Sequence, residues 1–418
     1  MNTRPHRVML LTTPQTYRTE AFVQAADKLN IEIVKVMDMP QPLADEWGMR
    51  LGVDFSQSKT AVSTLTTFAK KRPLAAIMAV DDAGALLAAQ ASQALGLPHN
   101  AVAAAEAARN KYTMRHMLAD ANVPSPPFLR FTSADTNESI AAKVQAEIGY
   151  PCVVKPLHLN GSRGVIRANN EGELLAVVAR VCGMLRNMGS APTFLVEQFI
   201  PGVEVALEGV LHNGRLQTLA LFDKPDPLDG PFFEETIYVT PSRLPDDVQE
   251  LIAQTTAAGA RALGLQTGSV HAELRVNEAG AWIVEVNGRS IGGLCSQTLR
   301  FDMGMSLEEL LLRQACGLDV SALQREQQAS GVMMIPIPHG GILREVRGVE
   351  AAKAVSHIDD VNITAPLNNR LVPLPEGESY LGFIFASGND PCTVESALRQ
   401  AHAHLHFQID EEIPLRIT

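Results

Sequence analysis

Residues 269–289 read SVHAELRVNEAGAWIVEVNGR, and the pairing of this stretch decides how the rest of the chain is understood. Alternation with period two sets Val270, Ala272, Leu274 and Val276 on one face of a strand and His271, Glu273 and Arg275 on the other. A turn at Glu278-Ala279-Gly280, with Gly280 in the left-handed position, leads into a second strand that places Ile283, Glu285 and Asn287 on one face. In that register Glu273 stands opposite Glu285. Like charges facing each other destabilise a sheet, and neighbouring carboxylates call for a cation or a shared proton. A hard divalent ion with oxygen ligands relieves the conflict; Mg²⁺ beside phosphates is the usual occupant, and Asn287 adds a neutral oxygen. Two other readings stay open on this segment alone. The face could be solvated with its charges splayed apart, or a slip of one residue in the turn could put the glutamates on opposite faces.

Working towards the N-terminus, Glu197-Gln198-Phe199-Ile200-Pro201-Gly202 leaves a strand into a turn, with Glu204 just beyond. On their own both glutamates are more simply read as ordinary strand-edge charge. Lys155 closes the strand PCVVK, and the following LHLNGSRG contains a glycine- and serine-bearing turn at 160–164 whose backbone N–H groups could cradle an anion, with the lysine as a point charge. It lacks the G-K-[ST] triplet of a Walker A loop. Lys111 lies on a predicted helix, where a lone lysine is ordinarily a solvated surface residue.

The first hundred residues alternate strands at 8–11, 31–36 and 74–80 with helices at 17–29, 59–71 and 83–95, which implies a small parallel α/β sheet. Its first turn, Thr12-Thr13-Pro14-Gln15, has no G-x-G-x-x-G, which argues against a nicotinamide or flavin enzyme. Asp81 and Asp82 end the third strand, where such sheets bind ligands; capping of the next helix is the simpler expectation. A long Ala-rich helix is predicted over 101–118, followed by a linker at Ser125-Pro126-Pro127. Further helices are predicted at 171–188 and 246–263. A hairpin turns at His212-Asn213-Gly214-Arg215, and DKPDPLDGPFF (223–233) reads as a loop lying over something. Beyond about residue 330 short strands and turns take over.

At 418 residues the chain is long enough for about two to four subdomains. Apolar content of 46% and charged content of 19% are those of a packed protein. A formal net charge of −11 argues against a general affinity for nucleic acid or anionic membrane. Met1 to Arg7 is polar and basic, and the apolar run after it is too short for a signal peptide. The five cysteines are scattered without CxxC spacing, which points to reduced thiols and a cytoplasmic setting.

Taken in order, RNKYTMRHML, GYPCVVKPLHLNGSRGV, FLVEQFIPGVEV, HAELR and WIVEVNGR resemble the motifs of the ATP-grasp superfamily, over nearly the whole chain. Within it the chain looks most like the carboxylate–amine ligases close to the L-amino acid ligases. The resemblance implies an α/β protein with a Rossmann-like N-terminal domain (1–122), a small nucleotide lid (123–195), a large subdomain carrying the catalytic hairpin (196–330) and a C-terminal cap (331–418). It implies ATP and Mg²⁺, with Mn²⁺ as the alternative ion, and no nucleic-acid or membrane partner. Lys111 and Lys155 would contact the ATP phosphates, and Gly161, Ser162, Arg163 and Gly164 would close over them. Glu197, Gln198, Phe199 and Ile200 would form the adenine hinge, with Glu204 at the ribose. Glu273, Glu285 and Asn287 would hold one or two metal ions, and Arg289 would stabilise the acyl phosphate. Glu235 and Tyr238 would meet the amino-acid substrate; relatives often carry His at the latter position. Gly292 and Gly293 would leave room for the acid. A homodimer is common among such ligases. The implied reaction activates a small carboxylate, an amino acid, as an acyl phosphate and couples it to an amine, giving an amide or dipeptide. A biotin-carboxylase-like enzyme and a nucleotide-binding regulatory protein without turnover are the alternatives.

Overall fold

A computed structural model describes residues 6–377 and 379–411; Met1 to Pro5 of the polar start read above lie outside the described residues. The expected parallel sheet is present near the N-terminus, with strands Gly52–Val53, Glu32–Asp38, Arg7–Thr12 and Ala76–Ala79 in that spatial order. Val8 through Leu11 are all buried. That is what a parallel strand covered on both faces requires, so its side chains do not alternate in polarity.

The Ala-rich stretch predicted as one helix is two, Val102–Ala107 and Lys111–Asp120. Asn110 causes the break. Its backbone is extended, and its side-chain oxygen accepts hydrogen bonds from the N–H groups of Tyr112 and Thr113, capping the second helix. Lys111 thereby becomes the first residue of a helix and is buried rather than solvated.

The lid sheet is antiparallel, ordered Phe128–Thr132, Thr193–Gln198, Cys152–Pro156 and Ile166–Ala168. The largest sheet has eight strands in the order Gly280–Asn287, Gly268–Asn277, Val203–His212, Arg215–Asp223, Ile237–Thr240, Ala329–Ile335, Gly382–Gly388 and Ile358–Ile363. Its hairpin at Asn213-Gly214 has φ of 49° and 76°, the two positive values that a tight primed turn demands. Three strands from the C-terminal region extend this same sheet, so that region is continuous with the core. One face is covered by helices Lys111–Asp120 and Asp246–Ala262, packing Leu118, Ile252 and Ala260 on Ile283. The other is covered by Thr19–Lys28 and Leu307–Ala315, through Phe22, Leu307 and Leu310. Among the described residues no helix is long and apolar enough to cross a membrane.

The lid is clasped from two sides. Gly164 donates its N–H to the Pro375 carbonyl at 2.8 Å, and Arg180 makes two hydrogen bonds to Glu376 at 2.7 and 2.9 Å. On the other side Arg167 donates from its backbone N–H to Pro231 O at 2.9 Å and from its guanidinium to Asp229 O at 2.7 Å. Ile166 forms a β-bridge with Phe232. The proline-rich loop at 223–233 therefore lies against the lid.

Candidate active site

The carboxylate hairpin consists of Gly268–Asn277 and Gly280–Asn287, and Glu273 is the Cα partner of Glu285. The path to that register differs from simple alternation. Asn277 pairs with Gly280, so the turn holds two residues rather than three. The ladder then shifts between Glu273 and Leu274: Leu274 pairs with Ile283, and Val284 is the extra residue of a bulge. Turn and bulge offset each other. Ile283 consequently sits in the core, not on the Glu285 face, and is fully buried. The bulge also leaves the Val284 carbonyl free of the ladder, where it accepts a 2.6 Å hydrogen bond from Arg115.

These side chains open onto a cavity of about 740 Å³ between the lid sheet, the central sheet and the N-terminal sheet. Lys111, Lys155, Gly161, Ser162, Glu197, Gln198, Phe199, Ile200, Glu204, Glu235, Tyr238, Glu273, Glu285, Asn287, Arg289, Gly292 and Gly293 all line it; Arg163 and Gly164 of the loop do not. The lysines are tethered. Lys111 Nζ lies 3.1 Å from Glu285 and donates to Leu159 O at 2.9 Å. Lys155 is 2.7 Å from Glu197, which also pairs with Arg115 Nε at 2.9 Å. Burial favours the neutral lysine and lowers the Lys155 pKa, against the pull of Glu197. Glu197 is thus a buried member of a triad, not a strand-edge charge. Phe199 lies between the guanidinium groups of Arg167 and Arg275, whose carbon atoms are 4.3 and 4.8 Å from its ring centre.

Glu204, Glu235 and Glu273 bring carboxylate oxygens within 4.8 Å of one another. The ammonium of Lys224 sits among them, 2.9 Å from Glu204, 3.7 Å from Glu273 and in close contact with Glu235. Burial opposes its charge, yet the three carboxylates raise the Lys224 pKa well above its ordinary value. Burial likewise pushes Glu273 up, but Lys224 and His271 outweigh it and hold that carboxylate low. His271 reaches Glu208 at 3.2 Å and Glu273 at 3.6 Å; although desolvation works against its cation, these partners raise it to about 9. Tyr238 donates its hydroxyl to Glu235 at 2.7 Å, and burial lifts its pKa well above 10, so it orients this carboxylate and does not serve as a base.

Arg289 lies beyond the end of its strand, so it does not share a strand face with Asn287. Its Nε meets Asp82, the first residue of helix Asp82–Leu95 in the N-terminal region, at 2.7 Å. The capping expectation for the two aspartates does not hold. Asp81 accepts hydrogen bonds from Thr13 and Thr16 at 3.1 Å and makes no cap bond.

Glu273, Glu285 and Asn287 fit a hard cation. The two carboxylates share one face at one register position and both line the cavity. Asn287 is 3% exposed and its amide is engaged by no other side chain or backbone group among the described residues, leaving an oxygen for a ligand. The neighbouring Glu204–Glu235–Glu273 group already holds the Lys224 cation. Lys224 escaped the sequence reading because it is embedded in DKPDPLDGPFF, where proline and glycine signal only an irregular loop. Arg115 and Arg275 were visible as charges without a partner to give them a role.

Comparison with known proteins agrees with this arrangement. The chain matches the ATP-grasp N-terminal domain over residues 23–99, the ATP-grasp domain over 148–298 and L-amino acid ligase C-terminal domain 2 over 333–410. It is 31% identical over 232 residues to D-alanine–D-alanine ligase of Desulforudis audaxviator, covering 52% of this chain and 72% of that protein. It is 30% identical over 249 residues to alanine–anticapsin ligase of Bacillus subtilis, covering 54% of this chain and 51% of that protein. The chain thus spans about half the length of the latter relative, and 61% of another curated relative. The crystal structure of L-amino acid ligase from Bacillus licheniformis superposes with a TM-score of 0.82 at 23% identity, over 98% of this chain and all of that one, which shows a shared fold. With three domain matches in chain order around one carboxylate hairpin, the chain belongs to the ATP-grasp ligases, in the branch that resembles the L-amino acid ligases.

Proposed function

We propose that this chain is an ATP-dependent ligase that activates the carboxylate of an amino acid as an acyl phosphate and joins it to the amine of a second substrate, releasing ADP and phosphate. The observation that carries this reading is the convergence of Glu273, Glu285, Arg289, Lys111 and Lys155 on one cavity. A carboxylate is a poor acylating agent because its leaving group would be oxide; phosphorylation supplies a better one. Transfer of a phosphoryl group asks mainly for positioning and charge neutralisation.

In this reading Lys111 and Lys155 face the ATP phosphates, residues 160–164 lie over them, and residues 197–200 adjoin the adenine with Glu204 near the ribose. Glu273, Glu285 and Asn287 would hold Mg²⁺, which when bound neutralises phosphate oxygens. Arg289 exchanges its contact with Asp82 for the acyl phosphate, where its planar fork can bind two oxygens at once. Glu235, oriented by Tyr238 and Lys224, faces the amino-acid substrate. Because Lys155 is paired with Glu197, and Lys224 with three carboxylates, the cations are in place before the substrates arrive, and little reorganisation is needed during the reaction.

The test is phosphate release from ATP across a panel of amino-acid pairs, with mass spectrometry of the product. ADP formation that depends on two amino acids, and a product heavier than either, is the expected result. Release that depends on bicarbonate, or ATP binding without release, contradicts the proposal.

A further inference from the structure

Beyond Arg289 the cavity changes character. Arg289 is bound to Asp82 and Arg18 to Glu308 at 2.7 Å, while Asp81 is held by the neutral hydroxyls of Thr13 and Thr16. Alongside these the lining includes aromatic and apolar side chains. Tyr17, in the loop between strand Arg7–Thr12 and helix Thr19–Lys28, meets Phe383 of the central sheet edge-on, with ring centres 5.7 Å apart at 74°. Tyr380 lies 6.1 Å from the same ring, and Phe385 stacks behind it at 6.3 Å. Gly292 lines the same cavity, next to Gly293, which lies against the Phe383 ring. A Cβ at Gly292 would meet only an Arg289 nitrogen, at 3.9 Å, so the space in front of it is open. Met334 and Cys295 complete the lining with polarisable, uncharged surface.

A carboxylate on a substrate side chain would lose its hydration here, with Arg18 already paired to Glu308 and Arg289 given over to the activated carboxyl group, a costly exchange. A flat or bulky apolar group would instead complete the edge-to-face arrangement that the tyrosines and Phe383 already favour. Resting on the ligase reading above, we propose that the amino acid whose carboxyl group is activated carries a large uncharged side chain, aromatic in the best case, held against Gly292 and the Tyr17–Phe383–Tyr380 wall. The carboxyl group is assigned to this residue because the recess adjoins Arg289.

Two measurements on the full chain test this. The first is thermal stabilisation by L-phenylalanine, L-alanine, L-lysine and L-aspartate in the presence of Mg²⁺ and ADP, which needs no turnover. Phenylalanine is expected to stabilise most. Its advantage over alanine should fall about tenfold or more in apparent affinity in Gly292→Leu, which fills the recess. Tyr17→Ala, at an exposed position, should lower that advantage about three- to tenfold by removing one aromatic partner. The second is the residue order of the product from a phenylalanine–alanine mixture, where Phe-Ala is expected. Equal stabilisation by alanine, lysine or aspartate, or phenylalanine found only at the C-terminal end of the product, would overturn the proposal. If no pair releases phosphate while phenylalanine still stabilises in a Gly292-dependent manner, the ligase reading fails and the recess assignment stands.

Discussion

Glu273 and Glu285 face each other across the hairpin because the ladder slips by one residue at Val284, and Lys111 lies 3.1 Å from Glu285. Glu285 therefore sits between a cation of the protein and the place where a second cation would bind. Replacing it with glutamine keeps the shape and removes the charge. Glu285→Gln is expected to lower phosphate release by about a hundredfold or more, the usual scale for losing one electrostatic group in a closed site. An unchanged circular dichroism spectrum and a steady-state phosphate assay check this together; undiminished turnover would end the metal assignment.

Arg115 is fully buried and joins Glu197 to the Val284 carbonyl, tying the lid strand to the bulge. Arg115→Met leaves Glu197 with Lys155 alone and strands a backbone oxygen. Breaking a buried charged network in this way costs about 3–5 kcal/mol. A urea titration should show the midpoint fall with little change in slope.

Lys224 is buried among Glu204, Glu235 and Glu273. Lys224→Met removes the cation that lies amid all three carboxylates, and it should destabilise the fold by about 3–5 kcal/mol in a chelator. Oxygen ligands this close then suit a divalent ion, so millimolar Mg²⁺ or Mn²⁺ should restore much of the lost melting temperature. The same ions should shift the unsubstituted protein less. Equal shifts in both would show that the three carboxylates do not act as a group.

His271 has a folded pKa of about 9, above the ordinary imidazole value of about 6.5, because Glu208 and Glu273 hold its cation against the cost of burial. Its contribution is complete below about pH 6.5 and is lost as pH rises through about 9, a change on the order of 2–3 kcal/mol. His271→Gln should flatten the dependence of unfolding free energy on pH between those limits. Urea midpoints of both proteins at pH 6.5, 8 and 9.5 measure it.

Much of this architecture was legible in the sequence wherever periodicity and turn chemistry agreed. The parallel strands near the N-terminus, the Asn213-Gly214 hairpin and the helix at Asp246–Ala262 follow from patterns local to a few residues. The Glu273–Glu285 pairing was also legible, though the assumed three-residue turn hid the bulge that compensates for a shorter one. Interactions between distant segments were not legible. Nothing near Lys224 reveals that carboxylates from two strands and the segment before a third surround it, and nothing near Asp82 reveals Arg289 207 positions away. Asn110 shows how one polar side chain overrides a run of helix formers: it offers the backbone a cap in place of another turn of helix.

The clasps on the lid act outside the cavity. If the proposed ligase frees its nucleotide by opening this lid, the Gly164–Pro375 and Arg167–Pro231 hydrogen bonds would have to break along with the Arg180–Glu376 pair, and the residence time of ADP would be governed partly by Arg167, Arg180 and Glu376, which do not line the cavity. Arg180 and Glu376 are 46% and 40% exposed, and such pairs weaken as salt shortens the Debye length. Turnover limited by lid opening would therefore quicken with ionic strength, even as the chemistry beneath the lid stays shielded from it.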